Sequence, residues 1–299
     1  MLEGKRIILT GASSGIGKAL ALGLADLGAY MGLMSRSKDA LSEICNEIVA
    51  KGGKATFVPT DVMLYEDVKK AIDTMVQKMG GVDVLINNAG VTERNIIPES
   101  PREIDKIINT NLRGPIYCTL AVTPYFEQQK GGSVINTSSV SSLETTVNYL
   151  PYNVLYVTTK AGVNMFTFSL ADRLKGKKIR VNALLPGFVD TPMIAGTQED
   201  QKARAGVMTP EELIPFYAYF ASDLSKNVSG LRLPVELFKS VQKFASKLPP
   251  EQVETWEALA PLIPSRFNAP KYQVYGDSVK MLQDHHDLLM LYLNWGKSK

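Results

Sequence analysis

The stretch Ile7-Ile-Leu-Thr-Gly-Ala-Ser-Ser-Gly-Ile-Gly17 joins a short apolar run directly to a glycine-rich turn. The run, residues 7–10, has the length of a buried β-strand, and the apolar spacing that starts at Gly17 is typical of a helix. Glycines at such a junction permit a tight turn and let the backbone approach a pyrophosphate, while the unpaired N–H groups of the new helix face the anion. The spacing is Gly-x-x-x-Gly-x-Gly, not the Gly-x-Gly-x-x-Gly of the common dinucleotide fingerprint. Its place at the first strand-to-helix junction of the chain nevertheless favours a nucleotide site.

The same alternation of strand and helix continues along the chain. Short apolar runs predict strands at residues 7–10, 30–34, 55–59, 82–87, 133–137, 179–185 and 231–235. Apolar residues at three-and-four spacing predict helices at residues 17–27, 39–51, 66–79, 101–129, 153–175 and 210–221. Because strands that are buried on both faces need helices on both sides, this order predicts a doubly wound, Rossmann-type α/β fold with a parallel sheet of about seven strands. We expect this fold to occupy residues 1–235.

The sequence pattern of residues 236–299 differs from that of residues 1–235. Proline follows Leu248, Ala260, Ile263 and Ala269, and the alternation of strand and helix stops. The last stretch, residues 277–295, has apolar residues at helical spacing, which must pack on another surface. We therefore predict a mainly helical C-terminal extension that packs on its own domain or on a neighbouring subunit.

Composition argues against several classes of protein. The 299 residues carry a formal charge of +3 from interspersed acidic and basic residues, so the sequence has no concentrated basic field for nucleic acid. The two cysteines, Cys45 and Cys118, lack CxxC spacing, which argues against a metal site, a redox motif and a disulfide framework. No apolar run reaches the ~18 residues of a membrane span. We expect a cytoplasmic protein with no metal, no nucleic-acid partner and no membrane span.

Tyr156 and Lys160 lie four residues apart in a predicted helix, so they share one face of it. A nearby ammonium stabilises a phenolate and lowers the pKa of the phenol, which makes the pair a candidate proton donor and acceptor. Tyr149 and Tyr152 lie close by in the sequence, but neither has a lysine four residues later. We expect these two tyrosines to line a substrate pocket or to pack the loop.

An ordered series of motifs resembles that of the short-chain dehydrogenase/reductase family, over roughly residues 1–235. The motifs are Thr10–Gly17, Asp61-Val62, Asn87-Asn-Ala-Gly90, Asn111-Leu-Arg-Gly114, Asn136-Thr-Ser-Ser139, Tyr156-x-x-x-Lys160, Arg180-Val-Asn-Ala-Leu-Leu-Pro-Gly187 and Thr191. Most of them follow the carboxyl ends of predicted strands, where ligands bind in sheets of this kind. The resemblance implies hydride transfer between a nicotinamide cofactor and a carbonyl or secondary alcohol carbon.

The resemblance also implies roles for individual residues. Tyr156 would give or take the proton, Ser139 would hydrogen-bond the substrate oxygen, and Lys160 would lower the Tyr156 pKa and hold the nicotinamide ribose. Asn111, a poor helix former inside a predicted helix, would hold a local distortion and organise a water that links Lys160 to solvent. Besides Tyr156 and Lys160, the implied cofactor-binding residues are Gly11, Ser13, Ser14, Gly15, Ile16, Gly17, Ser35, Arg36, Ser37, Asp61, Val62, Asn88, Ala89, Gly90, Pro186, Gly187, Val189 and Thr191.

The end of the second predicted strand bears on the choice of cofactor. Enzymes that use NAD commonly have a carboxylate here, which binds the ribose hydroxyls. This chain has Ser35, Arg36 and Ser37 instead, and a guanidinium with neighbouring hydroxyls can bind a 2′-phosphate. No basic residue precedes Gly15 to assist, since Ser14 stands there. The sequence predicts NADP(H) as the cofactor.

One departure from the family lies between Ser139 and Tyr156, which are 17 residues apart, more than the family usually shows. The loop between them is expected to carry an insertion, and Ser141 and Ser142 remain alternatives to Ser139 as the hydroxyl donor. Residues 190–208 occupy the place of the substrate-covering loop of the family, and their mixed polarity permits a lid that orders on binding.

The leading hypothesis is an NADP(H)-dependent oxidoreductase for a small-molecule ketone or secondary alcohol of hydrophobic, lipid-like or steroid-like character. A 3-oxoacyl thioester reductase is an alternative, because its acyl substrate would need the same apolar contacts. A nucleotide-sensing interaction protein without useful catalysis conflicts with the complete set of Asn111, Ser139, Tyr156 and Lys160. The resemblance further implies a homodimer or homotetramer, in which the helices at residues 101–129 and 153–175 pair between subunits.

Overall fold

The computed structural model describes residues 1–93, 98, 100–143, 153–194, 207–267 and 277–295. Within these ranges the strands form one parallel sheet of seven, in the order β3-β2-β1-β4-β5-β6-β7. The strands are β1 (Arg6–Thr10), β2 (Tyr30–Ser35), β3 (Lys54–Pro59), β4 (Val84–Asn87), β5 (Gly132–Thr137), β6 (Ile179–Leu185) and β7 (Arg232–Pro234). The strand order changes direction between β1 and β4, so a crevice opens at their carboxyl ends. This topology confirms the predicted doubly wound α/β fold.

Helices cover both faces of the sheet. Their bounds are α1 (Gly15–Asp26), α2 (Lys38–Ala50), α3 (Tyr65–Met79), α4 (Pro101–Ile108), α5 (Gly114–Gln128), α6 (Val154–Leu174), α7 (Ile214–Ala221) and α8 (Val235–Ala245). One apolar core lies between the sheet and the helices α1, α2 and α7. A second core lies on the opposite face, against α3, α5 and α6. The central strands β1, β2, β4, β5 and β6 are largely hydrophobic because each contributes side chains to both cores.

The single helix predicted at residues 101–129 is interrupted in the structure. Helix α4 ends at Ile108, a π-helical segment spans Asn109–Arg113, and α5 starts at Gly114. Asparagine is a poor helix former, and the side chain of Asn111 turns inward to bind backbone groups of another loop. The helical segment is therefore divided in two, and the local distortion lies at Asn111, where the family resemblance favoured one.

The C-terminal extension is a helical tail beyond the sheet domain. After α8 its described helices are α9 (Trp256–Leu259), α10 (Ile263–Phe267), α11 (Ser278–Asp284) and α12 (His286–Asn294). The tail packs on α7 of the same chain, where the ring of Tyr292 lies 4.8 Å from that of Phe216, and Phe238 lies 5.3 Å from Phe216 between ring centroids. Every residue of α7 is buried as a result. None of the described helices combines the length and the apolarity needed to cross a membrane.

Candidate active site

The glycine-rich turn between β1 and α1 is packed tightly against the end of β4. Gly11 has a φ of +67°, which favours glycine, and a Cβ atom there would lie 2.7 Å from the Cα atom of Ala89. A Cβ atom at Gly17 would lie 2.0 Å from the Gly11 carbonyl oxygen. Ser14, at the N-cap of α1, makes no side-chain capping hydrogen bond. The first N–H groups of α1 are thus left without a side-chain cap, as an anion-binding turn requires.

Two polar residues join the turn to the loop after β4. The hydroxyl of Thr10 accepts hydrogen bonds from the backbone N–H groups of Asn88 and Ala89, both at 3.0 Å. The side-chain amide of Asn88 donates back to the carbonyl oxygens of Thr10 and Gly11, at 3.2 and 3.4 Å. The neighbouring Asn87 is buried and donates to Asn136 at 2.9 Å, so this residue supports the sheet. The structure therefore holds Asn88, Ala89 and Gly11 together at the edge of the crevice.

The end of β2 carries the residues that bear on cofactor choice. Ser35 is buried, and its hydroxyl oxygen has no hydrogen-bond partner within the described chain. Arg36 is exposed and forms no hydrogen bond or ion pair with the described residues. The hydroxyl of Ser37 caps α2 by accepting a 3.5 Å hydrogen bond from the Ala40 N–H. Arg36 is accordingly free to bind a ligand, whereas Ser37 is already engaged in a helix cap.

Two further loops border the same crevice. After β3, Asp61 accepts a hydrogen bond from the Met63 N–H at 3.0 Å, and Val62 is buried beside Gly114. After β6, Pro186 is buried and Val189 forms an isolated parallel bridge with Met208.

The loop after β6 also reaches the glycine-rich turn. A Cβ atom at Gly15 would lie 3.1 Å from the Cγ2 atom of Thr191, so this loop lies against the turn. At Gly187 a Cβ atom would meet the Glu236 carboxylate, which would have to shift to make room for it. Of residues 190–208, the predicted lid, residues 195–206 lie outside the described residues.

These features fit a dinucleotide. The turn has no room for a Cβ atom at Gly11 or Gly17, the start of α1 is uncapped, and a buried hydroxyl at Ser35 lacks a partner among the described residues. A buried polar atom without a partner is costly, and a ribose or phosphate group at the end of β2 could supply the missing hydrogen bond. The residues Gly11, Ser13, Ser14, Gly15, Ile16 and Gly17 would hold its diphosphate, and Ser35 and Arg36 its adenosine half.

Lys160 lies at the inner end of the crevice. It is 4% exposed, and its Nζ atom donates a 2.8 Å hydrogen bond to the carbonyl oxygen of Thr137 at the end of β5. Burial lowers the pKa of this ammonium to about 8, so it keeps its proton at neutral pH. The Nζ atom lies 5.6 Å from the centroid of the Tyr156 ring. The predicted pair therefore shares one site.

Tyr156 is half-buried, one turn before Lys160 on α6. Burial raises the pKa of its phenol, a hydrogen bond with Ser139 lowers it, and the negative charge of Glu93 raises it further. The lowered pKa expected from Lys160 is not produced by the described residues. Desolvation is the largest of these effects, and it outweighs the stabilisation of the phenolate by Ser139. Tyr156 is consequently a neutral phenol in this structure.

The structure distinguishes among the three candidate serines. Ser139 caps the short 3-10 turn Val140–Ser142 and forms the hydrogen bond with Tyr156. The hydroxyl of Ser141 faces that of Ser139 at 2.8 Å. The hydroxyl of Ser142 donates to the Ser139 carbonyl and accepts from Asn164, away from Tyr156. Ser139 is thus the serine beside the phenol, while Tyr149 and Tyr152 lie outside the described residues.

Asn111 is fully buried in the π-helical segment. Its side chain accepts from the Val91 N–H at 2.8 Å and donates to the Val91 carbonyl at 2.7 Å. A Cβ atom at Gly90 would lie 3.6 Å both from the Asn111 Oδ1 atom and from the Lys160 Nζ atom. Asn111 therefore lies near Lys160 across Gly90, and its expected water link stays a prediction.

Three residues at this site were missed by sequence reasoning. Thr137 binds Lys160 through its carbonyl oxygen, and its hydroxyl lies 2.7 Å from that of Tyr217 on α7. Glu93 is buried, and its Oε1 atom accepts from the backbone N–H of Tyr156 at 3.1 Å. Its place a few residues after β4 was a signal that could have identified Glu93. Tyr217 carried no such signal, because it lies in a wholly apolar helix.

Comparisons with known proteins identify relatives of this chain. The family model described as short chain dehydrogenase matches residues 5–202. A 3-oxoacyl-[acyl-carrier-protein] reductase from Thermotoga maritima is 37% identical over 239 residues, which cover 77% of this chain and 95% of the relative. The structure of 3-ketoacyl-(acyl-carrier-protein) reductase from Brucella melitensis, complexed with NADH, is 29% identical with a TM-score of 0.73 and covers 79% of this chain and 98% of that one. The structure of an NADPH-dependent 3-quinuclidinone reductase from Rhodotorula rubra is 30% identical with a TM-score of 0.72. It covers 78% of this chain and 90% of that one.

The close packing of the glycine-rich turn leads to a stability prediction. Gly17→Ala should lower the free energy of unfolding by about 2–3 kcal/mol, because the new methyl group must displace the Gly11 carbonyl. Gly176→Ala is the matched control, since nothing lies within 4 Å of a Cβ atom there and its φ is not positive. The control should gain about 0.4–1 kcal/mol or stay unchanged. Urea denaturation measures both, and equal stability of the two variants would contradict the packing of the turn.

Proposed function

The chain is a member of the short-chain dehydrogenase family and thus an oxidoreductase, and we propose that it interconverts a ketone and a secondary alcohol with NADP(H). The observation that carries the proposal is the convergence of Ser139, Tyr156 and Lys160 at the inner end of a crevice suited to a dinucleotide. A protein that only senses nucleotide does not need a neutral phenol beside a buried ammonium and a serine hydroxyl. This arrangement disfavours the nucleotide-sensing alternative.

The nicotinamide, when bound, supplies the hydride during reduction and accepts it during oxidation. The residues of the chain deal with the proton. During reduction, Tyr156 donates its phenolic proton to the substrate oxygen, as its raised pKa allows at neutral pH. Ser139, already hydrogen-bonded to Tyr156, donates a hydrogen bond to the same oxygen and so orients it. Lys160 keeps its charge below a pH of about 8 and stabilises the phenolate that remains after proton transfer.

The substrate class that we propose is a 3-oxoacyl thioester. Relatives named 3-oxoacyl-[acyl-carrier-protein] reductase, such as the Thermotoga maritima protein, align over nearly their whole length. The sequence alone led to a lipid-like or steroid-like ketone, and an acyl chain meets the same requirement for apolar contacts. A lipid or steroid ketone is the second candidate. The cytoplasmic location predicted from the sequence agrees with thioester chemistry and stays a prediction.

NADP(H) is the cofactor that the end of β2 favours. Arg36 is exposed with no partner among the described residues, and Ser35 has an unpaired hydroxyl oxygen. A guanidinium attracts a 2′-phosphate, and no carboxylate stands at these positions to bind the free ribose hydroxyls of NAD. Arg36 and Ser35 are therefore the residues that would distinguish the two cofactors.

We further propose a homodimer or homotetramer in which α5 and α6 pair between subunits. These helices expose large apolar side chains, with Leu120 57%, Met165 59% and Phe168 52% exposed. Several such side chains on adjacent helices are typical of a surface that another subunit covers. This packing would bury the backs of the helices that carry Asn111 and Tyr156.

Sedimentation equilibrium tests this assembly. The wild type should be a dimer or tetramer at micromolar concentration, and Met165→Glu should release monomers because a carboxylate would be desolvated in the interface. Val49→Glu is the control, because Val49 is 55% exposed on α2, which packs on α1, β2 and β3 and not on α5 or α6. A monomeric wild type would refute the proposed assembly.

Turnover depends on the phenol of Tyr156. Tyr156→Phe should lower kcat for ketone reduction by about 10²–10⁴-fold, the usual contribution of a general acid, while NADPH binding stays within about twofold. NADPH absorbance measures turnover with acetoacetyl-coenzyme A and with a panel of lipid and steroid ketones, and NADPH fluorescence measures binding. Tyr125→Phe is the control, since that hydroxyl binds Asp73 on α3. Activity of Tyr156→Phe within tenfold of wild type would refute its role.

Cofactor preference depends on Arg36. Arg36→Ala should lower kcat/KM for NADPH by about 10- to 100-fold, the equivalent of a lost charge-assisted hydrogen bond, and leave kcat/KM for NADH nearly unchanged. Arg102→Ala, at an exposed arginine on α4, should change neither value. An unchanged ratio of the two kcat/KM values in Arg36→Ala would dismiss Arg36 as the 2′-phosphate ligand.

A further inference from the structure

Glu93 is a buried carboxylate that the proposed chemistry does not use. It lies in the loop after β4 and is 2% exposed. Its Oε1 atom accepts hydrogen bonds from the backbone N–H groups of Leu155 at 2.8 Å and of Tyr156 at 3.1 Å. These are N–H groups of the first turn of α6, which have no partner inside their own helix. Glu93 thus binds the backbone of the candidate catalytic tyrosine from another loop.

This contact replaces the usual cap of α6. The N-cap residue Asn153 makes no side-chain capping hydrogen bond. Its amide instead donates to the Thr92 hydroxyl at 2.6 Å and to the Glu93 carbonyl at 2.8 Å. A carboxylate at a helix N-terminus is stabilised by the helix dipole and by the free N–H groups. The loop and the helix therefore hold each other through both the backbone and the side chain of Glu93.

The same loop is held from its other side. Asn111, in the π-helical segment, makes two hydrogen bonds to the backbone of Val91. Only Thr92 separates Val91 from Glu93. A continuous set of hydrogen bonds consequently runs from the π-helical segment through residues 91–93 to the start of α6. Displacement of Glu93 would move the backbone at Tyr156.

The charge of Glu93 is not neutralised by an ion pair among the described residues, and its buried Oε2 atom has no hydrogen-bond partner there. Among the described residues, four groups from four elements contact Tyr156 or influence its phenol electrostatically. They are Lys160 on α6, Glu93 in the loop after β4, Ser139 in the loop after β5 and Tyr217 on α7. Lys160 favours a negative charge on the phenol oxygen, and Glu93 disfavours it. The two charged groups therefore act on Tyr156 in opposite directions.

We propose that Glu93 is a positioning residue: its carboxylate fixes the backbone at Tyr156, and its negative charge disfavours ionisation of the phenol. The role rests on the proposed function, because it acts through Tyr156. In the structure the charge of Glu93 raises the pKa of that phenol, in addition to the effect of burial. Loss of the charge should lower the pKa and let Tyr156 ionise at a lower pH.

Glu93→Gln removes the negative charge at residue 93 and keeps its hydrogen bonds to the start of α6. Glutamine has the same length, and its amide oxygen can still accept from Leu155 and Tyr156. The tyrosinate absorbance of Tyr156, taken as the difference between each protein and its Tyr156→Phe counterpart, gives the midpoint of ionisation without substrate or cofactor. We expect the midpoint of Glu93→Gln to fall by about one pH unit. The alkaline limit of kcat for reduction should move in the same direction, while KM for NADPH stays unchanged.

Asp277→Asn is the matched control. Asp277 is also a carboxylate at a helix start, where it accepts from the Lys280 N–H at 2.9 Å, but it lies in the C-terminal tail. Its substitution should leave the Tyr156 midpoint unchanged. Glu93→Ala, which removes the charge and the cap, should lower both the midpoint and the melting temperature. An unchanged midpoint in folded Glu93→Gln would overturn the proposal.

The experiment separates this inference from the proposed function. If the wild type reduces none of the ketones tested, the proposed function fails, but the titration still reports whether Glu93 controls the phenol. If Glu93→Gln does not fold, Glu93→Met removes the charge with an apolar side chain of similar length, and the same shift is expected. Failure of both variants to fold would overturn the proposal in favour of a carboxylate with a purely structural role.

Discussion

The hydrogen bond from the buried Lys160 ammonium to the Thr137 carbonyl is the interaction on which the site depends. An ammonium that is 4% exposed is stable only if fixed acceptors replace water, and the carboxyl end of β5 provides one. This bond ties α6 to the sheet at the point where the strands end. Tyr156, one turn earlier on the same helix, is thereby brought beside Ser139 in the loop after β5. The burial of Lys160 therefore determines where the start of α6 lies, and with it the position of the Tyr156 phenol.

Side-chain contacts to backbone groups, more than ion pairs, hold the described part of this crevice together. Thr10 and Asn88 join the glycine-rich turn to β4, Asn111 holds Val91, and Glu93 holds the start of α6. Such contacts orient loops without placing further charges near the phenol. The two charges that remain close to Tyr156, on Lys160 and Glu93, act in opposite directions. Burial, more than either charge, keeps the phenol neutral when no ligand contributes.

The C-terminal tail is connected to the same site through α7. The tail buries every residue of that helix, and one of them, Tyr217, places its hydroxyl 2.7 Å from that of Thr137. Thr137 is also the residue whose carbonyl binds Lys160. An extension that lies outside the family-model match at residues 5–202 thus supports the floor of the crevice from the opposite face of the sheet. The packing of the tail and the position of Lys160 are therefore linked through Tyr217 and Thr137.

The sequence by itself determined the alternation of strands and helices, the glycine-rich turn and the spacing of Tyr156 and Lys160, because these depend on periodicity and on neighbours a few residues apart. It also favoured Ser139 over Ser141 and Ser142 and a local distortion at Asn111, but it did not reveal the contacts of Tyr217 and Glu93. Glu93 lies 62 residues before the Leu155 amide that it caps, and Tyr217 lies 80 residues after Thr137. The sequence also placed an activating lysine beside Tyr156, whereas the folded chain raises the pKa of the phenol by burial. Desolvation and long-range contacts arise only when the chain is packed, so these features were decided by the tertiary structure alone.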